Sequence, residues 1–143
     1  LDRFEFVNNS IGTTSSSASS FDLVRIVFDT AVSTGEFYFY NNLFVGHGTD
    51  IDRAIVLSQS VLIAADYNLF WNMASNYWIG GGVQADSAND ISGMDPLLSN
   101  SSLELLPLSP AVDAGGMTLA PAVDYNGTSR PLGNGIDIGA HEQ

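Results

Sequence analysis

The chain has no cysteine and no lysine. Without cysteine it holds neither a disulfide framework nor a Cys-ligated metal, and it suits an oxidising or a reducing compartment equally. Without lysine its cations are four arginines, Arg3, Arg25, Arg53 and Arg130, facing 16 acidic residues, for a formal net charge of −12 and a sequence pI near 4.1. A chain this acidic repels phosphate backbones and anionic membrane surfaces, which argues against a nucleic-acid partner. No apolar run approaches the roughly 18 residues of a membrane-crossing helix, so no membrane span is expected, and no basic segment followed by an apolar one opens the chain. Leu1 in place of Met is expected of a processed, secreted product or of an excised fragment. Long helical periodicity is missing too, and Gly80-Gly81-Gly82 lacks the Lys-Ser/Thr of a phosphate-binding loop.

What the chain does contain is short apolar runs between turn residues. Leu23-Val24-Arg25-Ile26-Val27-Phe28 and Ala54-Ile55-Val56-Leu57 are rich in β-branched residues and bounded by Gly, Ser, Asp and Thr, the pattern of strands separated by turns. Fourteen glycines and five prolines agree with many short strands. At 143 residues with 45% hydrophobic content, residues 1–143 fit a single all-β domain with a sizeable core.

A degenerate repeat organises these runs. Asn8-Asn9-Ser10-Ile11, Asn41-Asn42-Leu43-Phe44 and Tyr67-Asn68-Leu69-Phe70 align, each after an apolar or aromatic stretch, and their shared Asn recurs at 9, 42 and 68. Steps of this size are those of solenoid coils. Asn9, Asn42 and Asn68 then fall at one corner, where stacked amides donate and accept along the solenoid axis and where Asn tolerates the left-handed backbone of a sharp bend. Ordinary loop asparagines are the alternative.

The closing residues carry a resemblance. Ser109-Pro110-Ala111-Val112-Asp113-Ala114-Gly115, Asp124-Tyr125-Asn126-Gly127-Thr128-Ser129-Arg130-Pro131 and Asp137-Ile138-Gly139-Ala140-His141-Glu142 follow Asp95-Pro96-Leu97-Leu98 and Leu103-Glu104-Leu105. The series resembles the C-terminal portion of secreted bacterial right-handed parallel β-helix proteins, notably those with a choice-of-anchor Q domain, within the pectate-lyase-like superfamily. The resemblance implies a right-handed single-stranded parallel β-helix, with residues 95–143 its last coil and closing segment, and an extracellular or cell-surface location. At about 25 residues per coil the chain would make about five or six coils. A two-layer β-sandwich is the fallback.

Candidate chemistry is sparse. β-Helix lyases, by the resemblance, use an Arg or Lys base, and the related hydrolases use clustered Asp. Lysine is absent, and Arg25 and Arg53 stand singly in strand-like segments. Asp50 and Asp52 alternate onto one face and could bind a hard cation or serve glycoside hydrolysis, or simply solvate a turn. Asp124 and Asn126 resemble a fragment of a Ca²⁺ loop, so Ca²⁺ is the only cofactor suggested. Asp113, Asp124, Arg130, Asp137 and Glu142 read best as a structural clamp, because one guanidinium can fork to a carboxylate and tie the last coils together. His47 and His141 lack partners at ligand spacing. Trp71, Tyr77 and Trp78 would stack on sugar rings if exposed in a row, or pack in the core.

Leu1-Asp2-Arg3-Phe4-Glu5-Phe6-Val7 alternates like a strand, and a first coil left open would present bare backbone edges and apolar surface. Phe4 and Phe6 are therefore expected to mediate assembly, with another subunit or with upstream coils, and their replacement by Asp or Lys is expected to leave the chain folded. Three functions follow as expectations: a non-catalytic extracellular structural protein, even a filament subunit; the C-terminal part of a polysaccharide-active enzyme; or an adhesin or glycan-binding module.

Overall fold

The computed structural model describes residues 3–13, 22–28, 35–46, 52–59, 61, 63–99 and 102–143. Among the described residues there is no helix, and eleven strands follow one another: β1 (Arg3–Val7), β2 (Ser10–Gly12), β3 (Asp22–Ile26), β4 (Glu36–Tyr40), β5 (Leu43–Val45), β6 (Arg53–Leu57), β7 (Ile63–Asp66), β8 (Leu69–Trp71), β9 (Ser75–Ile79), β10 (Gly82–Gln84) and β11 (Ile91–Ser92). Corners keep them short. Asn8, Asn41 and Tyr67, which end β1, β4 and β7, take φ of 52°, 56° and 58°, the left-handed region that Asn tolerates and that strains Tyr.

The strands form three sheets, β1-β4-β7, β2-β5-β8-β11 and β3-β6-β9-β10. The chain visits the sheets in the same order three times, so each strand lies beside its counterpart from the next circuit and the pairing is parallel. β11 adds a fourth parallel strand to the second sheet. β10 breaks the rule: Gly80 and Gly81, with φ of 61° and 86°, make the tight turn that folds it antiparallel onto β9. Parallel pairing throughout the three circuits does not fit the antiparallel β-sandwich held as the fallback.

Register builds the core. Phe37 lies between Phe4 and Ile63, Phe44 between Ile11 and Phe70, and Ile55 between Val24 and Tyr77. Side chains from all three sheets, Phe37, Phe39, Phe44, Ile55, Leu57, Phe70 and Tyr77 among them, merge into one buried cluster. Phe44 and Phe70 stack at 5.2 Å with an interplanar angle of 3°. Each such side chain stabilises the fold by about 1.5–3 kcal/mol through burial, and stacked rings add about 0.5–1.5 kcal/mol.

Leu43 and Leu69 precede Phe44 and Phe70 in their strands and so face the opposite way, yet they are fully buried. Leu105, Ala111 and Ile138 cover them. The residues after β11 therefore run along the flank of the second sheet. Among the described residues they contribute no strand to any sheet, only the isolated bridges Leu98–Leu105, Gly115–Ile136 and Val123–Ser129. This corrects two expectations. The stacks are three or four strands deep rather than five or six, and Leu103-Glu104-Leu105 belongs to the flanking segment rather than to a last coil.

Candidate functional site

The three repeat asparagines come together in a directed row of hydrogen bonds. Asn9 donates through its backbone N–H and its Nδ2 to Asn42 Oδ1, at 3.0 and 3.2 Å. Asn42 donates in the same two ways to Asn68 Oδ1, each at 3.0 Å. Each amide also reaches the strand before it, Asn42 Nδ2 to Phe6 O at 2.8 Å and Asn68 Nδ2 to Phe39 O at 2.8 Å. Asn42 and Asn68 each accept from the rung before and donate to the rung after, so the row has a polarity.

The fourth rung is Asp90, which sequence reasoning missed. Asn68 donates to Asp90 Oδ1 from its backbone N at 2.8 Å and from Nδ2 at 3.3 Å, while Tyr77 Oη and Ser87 N donate to Oδ2 at 2.7 and 2.8 Å. The signal lay in Asp90-Ile91, whose Ile91 pairs with Leu69, but Asp stood where Asn was sought and the step had shrunk to 22 residues. A carboxylate with four donors ends the row, because it accepts and does not pass a side-chain proton on. Burial raises its pKa, against hydrogen bonds from Asn68, Tyr77 and Ser87 that favour the ionised form. Burial also drives the Tyr77 phenol far up, helped by the neighbouring Asp90 charge.

A second row binds the flanking segment. Asn41 Nδ2 donates to Asn8 Oδ1 at 3.2 Å and to Gly116 O at 2.8 Å, and Gly116 N returns a bond to Asn41 Oδ1 at 2.8 Å. Asn8 Nδ2 donates to the carbonyls of Asp137 and Gly139. Tyr67, the third corner, lies against Gly116, where a Cβ would come within 2.6 Å of its ring. The doubled Asn-Asn at 8–9 and 41–42 was the visible sign: one residue of each pair serves the inner row and the other holds the flank.

At the heart of that segment sits the Arg130–Glu142 ion pair, with side chains only 1% and 0% exposed. Arg130 also donates to the carbonyls of Asp137 and Gly139, at 3.2 and 2.9 Å. Glu142 accepts the backbone N–H of Leu132 and of Asp137, both at 3.0 Å. Arg130 Nε is buried without a partner among the described residues. Asp137 and Asp124 do not pair with the guanidinium. Asp137 takes the N–H of Asp113 and of Gln143, each at 2.7 Å, and burial raises its pKa despite them, as do the charges of Glu142 and Asp113. Asp124 takes the N–H of Asn126, Thr128 and Glu142 at 2.8, 2.7 and 3.0 Å. Burial works to raise the Asp124 pKa, but these donors outweigh it and lower it. Asp113 is exposed and accepts from Gly135 N. The five residues form one network, though only Glu142 offers Arg130 its carboxylate, Asp137 meeting it through its backbone carbonyl.

Other candidates disperse. Tyr77 is 1% exposed, its ring packed edge-on to Phe70 at 5.2 Å, so it offers no face to a sugar. Trp71 is half-buried against the cluster under the flanking segment, and Trp78, half-buried, lies beneath Arg53 at 5.4 Å. These three make no row. Arg53 and Arg25 do not stand singly: both pair with Asp22, at 2.7 and 3.4 Å, because Asp22 and Arg53 are register partners. Asp50 and His47 lie outside the described residues. Asp52 is buried, and among the described residues no group of three His, Asp or Glu is placed to hold a metal ion. Asn126 meets His141 at 3.3 Å, and the Asp124 oxygens face backbone donors rather than an open loop. Phe4 and Phe6 sit in an edge strand, yet both pack on Phe39, at 6.0 and 6.2 Å. Replacing them with charged residues would injure the core, contrary to the expectation that the chain stays folded. No protein-family profile, no curated protein and no solved structure matches this chain.

Proposed function

We propose that this chain is a non-catalytic structural unit of a right-handed parallel β-helix that associates through one open end. Three sheets visited in cyclic order around one apolar core support the single β-helix. Crossovers between parallel strands are right-handed in about 98% of cases, which supports the hand. The observation that carries the functional reading is the inequality of the two ends. β1, β2 and β3 are terminal strands of their sheets, with partly buried Phe4, Phe6, Ile11 and Val24 beside them. At the other end β10 turns back antiparallel onto β9, β11 ends the second sheet as a two-residue strand, and the loop before β11 binds the last strand of the first sheet through Ser87 to Ala65 and Asn89 to Asp66.

The resemblance of its three closing motifs to those of choice-of-anchor Q proteins is what supports reading the unit as extracellular or surface-borne. Hydrogen exchange tests it. The amides of β1, β2 and β3 exchange as unprotected edges in the isolated chain and gain protection once the edges are covered, whether by a further coil or, at high concentration and raised salt where screening relieves the repulsion of like-charged copies, by a second copy. Protection gained elsewhere, with those edges unchanged, overturns the reading. Turnover of any member of a panel of neutral and acidic polysaccharides overturns its non-catalytic part.

A further inference from the structure

The asparagine row has a loose acceptor. Asn9 donates both of its amide-side bonds onward to Asn42, and its Nδ2 also reaches Val7 O at 3.0 Å. Among the described residues no hydrogen bond arrives at Asn9 Oδ1, whereas Asn42 Oδ1 and Asn68 Oδ1 each receive a backbone N–H and an amide N–H from the circuit before. This atom stands at the end where β1, β2 and β3 are the terminal strands.

Resting on the open-end reading, we infer that these edges receive one further parallel coil, whose corner residue is an asparagine that donates its backbone N–H and its Nδ2 to Asn9 Oδ1. Donor and acceptor chemistry chooses this occupant over a second copy of the chain. A copy stacked head to tail would present Asp90, whose carboxylate already accepts four hydrogen bonds and which has no side-chain N–H to give. It would also present the antiparallel β10 where a parallel strand is needed. A copy stacked head to head would set one Asn9 Oδ1 against another, acceptor against acceptor. Either arrangement would bring together two surfaces of net charge −12. A preceding coil satisfies every bond without such a conflict. It continues β4 over β1 in the register already seen between them, Arg3 opposite Glu36 and Val7 opposite Tyr40.

A full-length chain extended by its own second circuit tests the inference. Residues 36–61 are repeated immediately before Arg3, which keeps the 26-residue step between Asn42 and Asn68 for the new Asn42 and Asn9. The expected result is that amides of Phe4 to Val7 and of Ser10 exchange about tenfold more slowly or better, with a higher unfolding midpoint. Asn42→Ala made only in the repeat should lose most of that protection while the rest of the chain keeps its exchange pattern. Protection that survives this substitution overturns the asparagine-to-Asn9 bond. If the repeat protects nothing while the unextended chain self-associates with β1, β2 and β3 covered, the occupant is a second copy and the inference falls, although the open-end reading stands. If neither extension nor concentration protects those strands, both fall.

Discussion

The middle rung of the asparagine row should be worth more than the first, and the difference is measurable. Asn42 is fully buried and its side chain makes four bonds: Oδ1 accepts from Asn9 N and Nδ2, and Nδ2 donates to Phe6 O and Asn68 Oδ1. Asn42→Ala leaves the Asn9 backbone N–H without its acceptor, at about 1–3 kcal/mol, and forfeits three further bonds at about 0.5–1.5 kcal/mol each. Bonds within one network are not additive, so the expected loss is about 2–4 kcal/mol. At about 2–4 °C per kcal/mol for a chain near this size, the melting temperature should drop by about 5–15 °C. Asn9→Ala removes only donations, because among the described residues nothing reaches Asn9 Oδ1, and should cost about 0.5–1.5 kcal/mol.

Asn42→Asp sharpens the test. It preserves shape and the acceptor for Asn9 but turns an oxygen toward Phe6 O and Asn68 Oδ1. Both burial and those acceptors raise the folded-state pKa of the new carboxyl. Its penalty is therefore absent below the unfolded pKa and grows as pH rises through the folded one. Thermal melts from acid to neutral pH should show this variant nearest the parent in acid and at least as damaged as Asn42→Ala at neutrality. Equal losses for Asn9→Ala and Asn42→Ala, or a neutral Asn42→Asp at pH 7, would refute a directed row.

Arg130→Ala should cost about 3–5 kcal/mol in denaturant unfolding, since it strands the buried Glu142 carboxylate and frees the carbonyls of Asp137 and Gly139; Arg130→Lys should rescue little, lacking the planar fork. An unchanged midpoint for the alanine variant would remove the clamp. Asp90 and Asp137 both have raised pKa values, so the native state keeps protons that the unfolded chain releases near 3.8, and their contribution falls as pH climbs through the folded values. Asp124, lowered, runs the other way and loses its contribution as pH falls through its folded value. Asp90→Asn should flatten the upper part of this profile while destabilising the chain, because its Nδ2 would face Ser87 N–H; a profile parallel to the parent's would contradict the assignment.

Local pattern made some of this legible. Ala54-Ile55-Val56-Leu57 reads as a strand because β-branched and aliphatic side chains suit a pleat buried on both faces, and Asn9, Asn42 and Asn68 were visible because each follows an apolar or aromatic stretch and has an apolar residue two positions on, Ile11, Phe44 and Phe70. Depth was not legible. Residues after 93 have the same turn-rich texture as the circuits, and whether a segment adds a strand or lies across the flank depends on tertiary contacts such as Asn41 with Gly116. Tyr77 and Trp78 are adjacent in one strand, so alternation guarantees opposite faces, but composition alone did not say which faced in. The partnership of Arg53 with Asp22 needed the register between β3 and β6, which neither strand's sequence carries alone.

The flanking segment also changes how the chain should come apart. In a solenoid whose repeats touch only their neighbours, terminal circuits fray independently of the rest. Here Asn8 and Ser10 of the first circuit hold Asp137, Gly139 and Ala140, across 129 to 131 residues of sequence. Asn41 of the second circuit holds Gly116 and Gly139, and Tyr67 of the third lies against Gly116. One segment therefore staples every circuit to every other, and losing any corner releases the cover from Leu43 and Leu69. Unfolding should be a single cooperative transition. Trp71 and Trp78, both near the third circuit, report its packing by fluorescence, while far-ultraviolet circular dichroism reports all three sheets. Coincident denaturant curves are expected from the parent. Asn41→Ala should cut the staple at the middle circuit and pull the two curves apart; a parent whose curves already separate would show that the circuits are held by their neighbours alone.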